Sequence, residues 1–202
     1  YNQKLHKNEL SDLINSLILW DILDFYCFNN KKKIYYFGNN PNLLLNVLSI
    51  NFENAFLSHY TASCVYRLTD PVEYIYMTNL YQSKTDKKRI LEQNAINKAF
   101  NGKMRKAKNG IIINNSNNTV KKTLYLLSQY SNISKYSLYD LGIVEKKFDN
   151  FSIPISSYEK LLIEAAVRPS YFPNLESIIN VYYYSKKYID CERLLKILNN
   201  LN

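Results

Sequence analysis

The chain has 202 residues, and 47% of them are hydrophobic, enough to build a packed core and to exclude a disordered tail. A formal net charge of +9 favours polyanionic partners: DNA, RNA, an acidic protein or an anionic membrane surface. With only four glycines and no G-x-G-x-x-G or G-x-x-x-x-G-K-[ST] pattern, the sequence excludes the common phosphate-cradling loops.

In chain order, residues 9–19 (ELSDLINSLIL) place Leu10, Leu13, Ile14, Leu17 and Ile18 at helical spacing. The next stretch, WDILDFYCFNNKKKIYYFG, sets two β-rich runs on either side of NNKKK and predicts a hairpin with a basic tip. A helix followed by a hairpin is how a winged helix ends, which would make Lys31, Lys32 and Lys33 wing residues near phosphates. The alternative is a solvated charged turn. Residues 39–56 read as a linker into a short helix, ASCVYRL (62–68) as a helix, and VEYIYMTN (72–79) as a strand. KKRILEQNAINKAF (87–100) is an amphipathic helix, and GIIINNSNNTVKKTLYLLS (110–128) combines β-branched runs with an asparagine-rich turn. SYEKLLIEAAV (157–167) is a helix stopped near Pro169, and two more helices follow to the end. The expected fold class is α/β (α+β), with a winged-helix-like remnant at residues 1–40 and an α/β body at 41–202.

The charge is uneven. Between Lys84 and Lys108 nine Lys/Arg face two acids, Asp86 and Glu92. Lys84, Lys87, Lys88, Arg89, Lys103, Arg105 and Lys106 are therefore candidate phosphate contacts, and Gln93 or Asn94 could read an adenine edge. The structural alternative is a solvated helix face. Three widely spaced cysteines, Cys27, Cys64 and Cys191, fit neither a zinc site nor a disulfide framework, so no metal and no cofactor is expected. Without a run of 18 apolar residues or a signal peptide, the sequence predicts a cytoplasmic protein with no membrane partner. It begins at Tyr1 and reads as part of a longer chain.

The stretch LSHYTASCVYRLTD (57–70) contains one of only two histidines, beside a serine. Neighbouring side chains diverge by about 100° on a helix and by 180° on a strand, so Ser58 and His59 are not expected to form a local catalytic dyad. The economical reading makes Ser58 a helix N-cap that accepts from a first-turn amide, with His59 structural. Asp70 before Pro71 is a turn or cap residue. Glu159 and Glu164, five apart, lie on different faces of their helix, and Glu159 is a candidate ion-pair partner for Arg168.

SHYTA (58–62), LTD (68–70), IYMTNLYQSK (75–84), LEQNAINKAF (91–100) with KMRK (103–106), and YEKLLIEAAVRPSY (158–171) resemble, in order and spacing, the motif blocks of the AbiEi antitoxin family. The resemblance covers about residues 34–202. It implies a bacterial antitoxin of the type IV toxin–antitoxin (abortive-infection) class. An N-terminal winged helix would repress the operon, and a C-terminal domain would counter a nucleotidyltransferase-like toxin without a stable complex. Tyr66 and Arg67 stand where the family carries His-Gly, Pro173 and Asn174 where it has Gly-Gly, and Glu164 where Asp is usual. The implied partners are double-stranded DNA and the toxin, with a homodimer left open.

A second reading turns the same scaffold into a phage-restricting enzyme on DNA, a base-excising glycosylase or a nuclease. Its catalytic candidates are Ser58, His59, Tyr60, Tyr66, Asp70 and Glu164, with Arg168 added to the DNA-binding set. A third makes the basic surface a docking site for an acidic protein.

Overall fold

A computed structural model describes residues 7–38, 42–80, 109–117, 119–128 and 136–201. The expected α/β class is what it shows. The strands are β1 (Leu23–Phe28), β2 (Lys32–Phe37), β3 (Ala55–Leu57), β4 (Tyr74–Asn79), β5 (Ile111–Asn115), β6 (Lys121–Ser128), β7 (Ile143–Phe148) and β8 (Phe151–Ser156). They form one mixed sheet in the order β2-β1-β5-β6-β4-β3-β8-β7. Three hairpins account for the local antiparallel pairs β1/β2, β5/β6 and β7/β8. The centre is held by non-local pairs: β4 with β6 in parallel, β3 with β4 antiparallel, and β3 with β8 in parallel at Leu57↔Ile155.

The helices are α1 (Lys7–Leu19), α2 (Leu43–Asn51), α3 (His59–Val65), α4 (Tyr158–Val167), α5 (Leu175–Ser185) and α6 (Cys191–Leu201). Helix α2 packs on β8, α3 on β4, and α4 contacts α3, α5 and α6. Leu48, Leu57, Met77, Ile113, Leu124, Ile153, Ile155, Leu161 and Val181 form the fully buried centre. Helix α1 keeps much of its apolar stripe in solvent, with Leu10 and Leu13 nearly half exposed.

The basic-tipped hairpin is present. Asn29 and Asn30 both take positive φ (49° and 55°), as tight hairpin turns require, and Lys31 N–H donates to the Phe28 carbonyl at 3.0 Å. Only Asn29–Lys31 form the turn; Lys32 and Lys33 already belong to β2. The hairpin shares its sheet with the body, because β1 residues 26–28 pair with β5 residues 113–115. The helix expected over 62–68 starts earlier and ends at Val65: Tyr66 caps it, and Arg67 turns away at φ 57°. The amphipathic helix expected at 87–100, with the basic candidates from Lys84 to Lys106 and Gln93, lies outside the described residues. Among the described residues, no helix is long and apolar enough to cross a membrane.

Candidate functional site

Strand β3 is three residues long and wholly buried, and it delivers Ser58 to the edge of β4, where Ser58 N–H donates to the Tyr76 carbonyl at 3.1 Å. His59 then takes φ 52°, in the left-handed region that a histidine tolerates better than most side chains. This single backbone rotation corrects the expectation that Ser58 and His59 cannot meet. The divergence of neighbouring side chains holds inside a helix or a strand, and this junction is neither. His59 Nδ1 lies 2.9 Å from Ser58 Oγ, which lies 2.8 Å from Thr78 Oγ1.

The capping expectation is corrected as well. Ser58 occupies the N-cap of α3, but its hydroxyl makes no bond to a first-turn amide. The cap comes from another helix: Glu164 Oε2, on α4, accepts from the His59 backbone N–H at 2.7 Å. Glu164 Oε1 accepts from Ser156 Oγ at 2.8 Å, and the Ser156 carbonyl accepts from the Tyr66 hydroxyl at 2.9 Å. Four sequence candidates, Ser58, His59, Tyr66 and Glu164, thus meet at the end of β8 around Ser156, which sequence reasoning missed. Ser58 and Ser156 are fully buried, and His59 is 2% exposed.

Burial is the main influence on the imidazole, lowering its pKa to about 4; the Glu164 carboxylate opposes this, while Arg168 and Lys160 add to it. Nδ1 is 4.0 Å from Glu164 Oε2, and a neutral ring at that distance makes no ion pair. His59 Nε2 is buried without a hydrogen-bond partner. A closed network of this kind works as a clasp fixing α3, β4, β8 and α4 to one another.

Because the folded His59 titrates below its unfolded value of 6.5, the unfolded chain takes up a proton near pH 5 that the folded chain refuses. Its contribution is complete above pH 6.5 and is lost as pH falls towards 4, a span equivalent to about 3 kcal/mol. Urea unfolding between pH 7 and 4.5 should show this loss in the native protein. It should be absent in His59→Asn, which tolerates the positive φ but does not titrate there. Equal pH slopes in the two proteins would contradict a neutral His59.

Tyr60 and Asp70 meet differently from a catalytic pair. The Tyr60 hydroxyl donates to the Asp70 backbone carbonyl, so the aspartate carboxylate is not its partner. Glu159 accepts from Ser157 Oγ at 2.7 Å and from Asp190 N–H at 3.3 Å, and lies 3.5 Å from Arg193 Nη1. Tyr66 stacks on Tyr158 at 4.2 Å between centroids, and Tyr158 stacks on Tyr188 at 4.7 Å. Arg168, which follows α4, is half-buried. At the hairpin, Lys31 is exposed, Lys32 Nζ donates to Asn51 Oδ1 at 2.8 Å, and Lys33 Nζ sits 4.4 Å from the Phe25 ring centre.

Beside the clasp, on the solvent side, lies a cavity of about 580 Å³. Its walls are tyrosines from four segments: Tyr60 of α3, Tyr74 and Tyr76 of β4, Tyr125 of β6, and Tyr171 of the turn after α4. Tyr76 stacks on Tyr125 (5.5 Å, 19°) and meets Tyr171 at 5.3 Å. His59 presses edge-to-face on Tyr171 at 4.9 Å, so the clasp backs the cavity wall. A second cavity, about 680 Å³, adjoins it across Tyr60, Val72, Pro173 and Asn174 and is lined by Arg67 and Asp70. Among the described residues, no group of three or more His, Cys, Asp or Glu could hold a metal ion.

Neither a family model nor a curated relative matches the sequence. Among solved structures, the chain is similar to an antigenic nucleotidyltransferase-like protein from Paracoccidioides brasiliensis, at 13% identity and a TM-score of 0.37, over 79% of this chain and 86% of that one.

Proposed function

We propose that the protein is a DNA-binding, AbiEi-antitoxin-like component of a bacterial defence or toxin–antitoxin locus, repressing its operon and antagonising a nucleotidyltransferase-like toxin. The observation that carries this reading is the lysine-tipped hairpin. Lys31, Lys32 and Lys33 are all exposed at one end of the sheet, in a chain of net charge +9. The tight turn at Asn29 and Asn30 fixes the backbone that carries them, with Lys31 exposed and the ammonium groups of Lys32 and Lys33 resting on Asn51 and the Phe25 ring, contacts that a phosphate would have to replace. The motif blocks behind the resemblance also come together in space. SHYTA, IYMTN and RPSY supply Tyr60, Tyr76 and Tyr171 to the same cavity wall.

Binding to duplex DNA should weaken as salt rises, with a logarithmic slope of about 0.9 per phosphate neutralised. Replacing Lys31, Lys32 and Lys33 together with alanine should lower affinity at least tenfold on every sequence and flatten the slope by about 2 to 3. Fluorescence anisotropy on the upstream operon duplex and on an unrelated duplex tests both points. Unchanged affinity and slope in the triple variant would remove the hairpin from the DNA interface.

A further inference from the structure

The tyrosine cavity has a composition that the hairpin reading does not use. Its lining contains no charged side chain; the polar groups facing it are phenol hydroxyls, Ser170 and Asn174, and the rest is aromatic or aliphatic. A volume of about 580 Å³ lies within the roughly 300–1,000 Å³ typical of small-molecule sites. The rings form one continuous aromatic cluster. Tyr76 and Tyr125 lie nearly parallel, Tyr74 stands 6.0 Å from Tyr125 and is 44% exposed at the rim, and Tyr171 flanks Tyr76. Burial raises the Tyr76 phenol to about 12, so at neutral pH its hydroxyl keeps its proton and can both donate and accept.

Three ligand chemistries suit an aromatic cage: a cation, an aliphatic group, or a planar ring. A cation is disfavoured, because the lining has no acid and the protein carries net charge +9. An aliphatic group would make no use of the phenol hydroxyls of Tyr74, Tyr76 and Tyr125. A planar ring with polar edges satisfies both the faces and the hydroxyls. The adjoining cavity is mixed in charge, lined by Arg67 together with the carboxylates Asp70 and Glu176, so the aromatic cavity itself carries the recognition.

We propose that this cavity is a nucleobase-binding site that stacks one base against Tyr74, Tyr76 and Tyr125. The base arrives either on a free nucleotide or as an unpaired base of a DNA strand. The second source rests on the DNA-binding reading above; the first does not. Stacking on aromatic side chains is strong and tolerant of base identity, so broad base acceptance is expected, with each ring removed costing roughly tenfold in affinity.

The test uses 2-aminopurine, whose emission is quenched when it stacks. One arm titrates the protein with the free 2-aminopurine nucleotide. The other uses a single-stranded oligonucleotide carrying one 2-aminopurine and a remote end label, so that anisotropy of the label reports strand binding and 2-aminopurine emission reports base capture. The expected result is several-fold quenching in at least one arm, lost in Tyr125→Leu and weakened about tenfold in Tyr74→Leu. Tyr74→Leu sits at the exposed rim and should leave the melting temperature unchanged. Quenching by the free nucleotide without any anisotropy change for the strand upholds the site and assigns it to a soluble nucleotide. Anisotropy change without quenching in either arm overturns the base site and leaves the DNA-binding reading in place. Quenching that survives both substitutions also overturns it.

Discussion

Replacing Glu164 with alanine is expected to destabilise the fold by about 4 kcal/mol, because each buried donor left without an acceptor costs roughly 1–3 kcal/mol and this change orphans two. The donors are the His59 backbone N–H and the Ser156 hydroxyl, bonded to opposite oxygens of one carboxylate at 2.7 and 2.8 Å. Neither can turn to water, since His59 and Ser156 are buried. The loss also removes the outside cap of α3, whose own N-cap hydroxyl is committed to Thr78 and the imidazole. Glu164→Gln should cost less, about 1–2 kcal/mol: the amide oxygen still accepts from His59, and its NH₂ can donate to the Ser156 oxygen. Urea titration measures both, with a lowered midpoint and unchanged slope as the signature of lost stability. If alanine and glutamine cost the same, the two-donor account fails.

That prediction could not have been written from the sequence, and the reason is specific. Local signals carried α1 and β4 by apolar spacing, the β1/β2 hairpin by β-rich runs around a turn, and α2 and the three C-terminal helices as helices; for β5 and β6 the sequence offered only β-branched runs and an asparagine-rich turn. Strand β3, Ala-Phe-Leu, is too short and too uniformly buried to alternate. The β7/β8 hairpin went unread although FSIPIS alternates within it. The parallel pairings that join β3 to β8 and β4 to β6 depend on segments far apart in the chain, which no window sees.

The same limit applies to the site. Ser58, His59, Tyr66 and Glu164 were all visible as candidates, but their meeting depends on the register of β3 against β8 and on one positive φ at His59. The regular-geometry rule that separated Ser58 from His59 was sound for a helix or a strand and misapplied to a junction. Tyr66 shows the converse. Standing where the motif blocks it was compared with carry His-Gly, it invited a chemical explanation, and the structure gives it packing against Tyr158 and a hydrogen bond to the Ser156 carbonyl. The tyrosine cavity is legible in part: Tyr60, Tyr74 and Tyr76 stand close to the motif as candidate aromatic walls for a base, but nothing local says that Tyr125 and Tyr171 join them.

Gly142→Ala should destabilise by about 4 kcal/mol, and a second glycine in the chain separates its two causes. Gly142 sits at φ 73° after the short 3-10 turn Tyr139–Leu141, and its carbonyl accepts from Ser157 N–H at 2.7 Å, anchoring the residue that caps α4. A side chain in this left-handed conformation costs roughly 1–2 kcal/mol, and forcing extra volume into a packed core adds typically 1–3. The volume cost is real here, because an added Cβ would stand 2.8 Å from Lys160 Cβ and 2.9 Å from Ile197 Cδ1. Lys160 Cβ is fixed by α4, and Ile197 is fully buried, so neither can swing aside. Gly38 has nearly the same conformation, φ 79°, with nothing within 4 Å of where its Cβ would lie. Gly38→Ala should therefore cost only the conformational part, about 1–2 kcal/mol. The difference between the two variants in urea unfolding isolates the steric contact between the 3-10 turn, α4 and α6. Equal losses at both glycines would mean that this contact relaxes freely, and that the helix carrying Glu164 is not held in place from the α6 side.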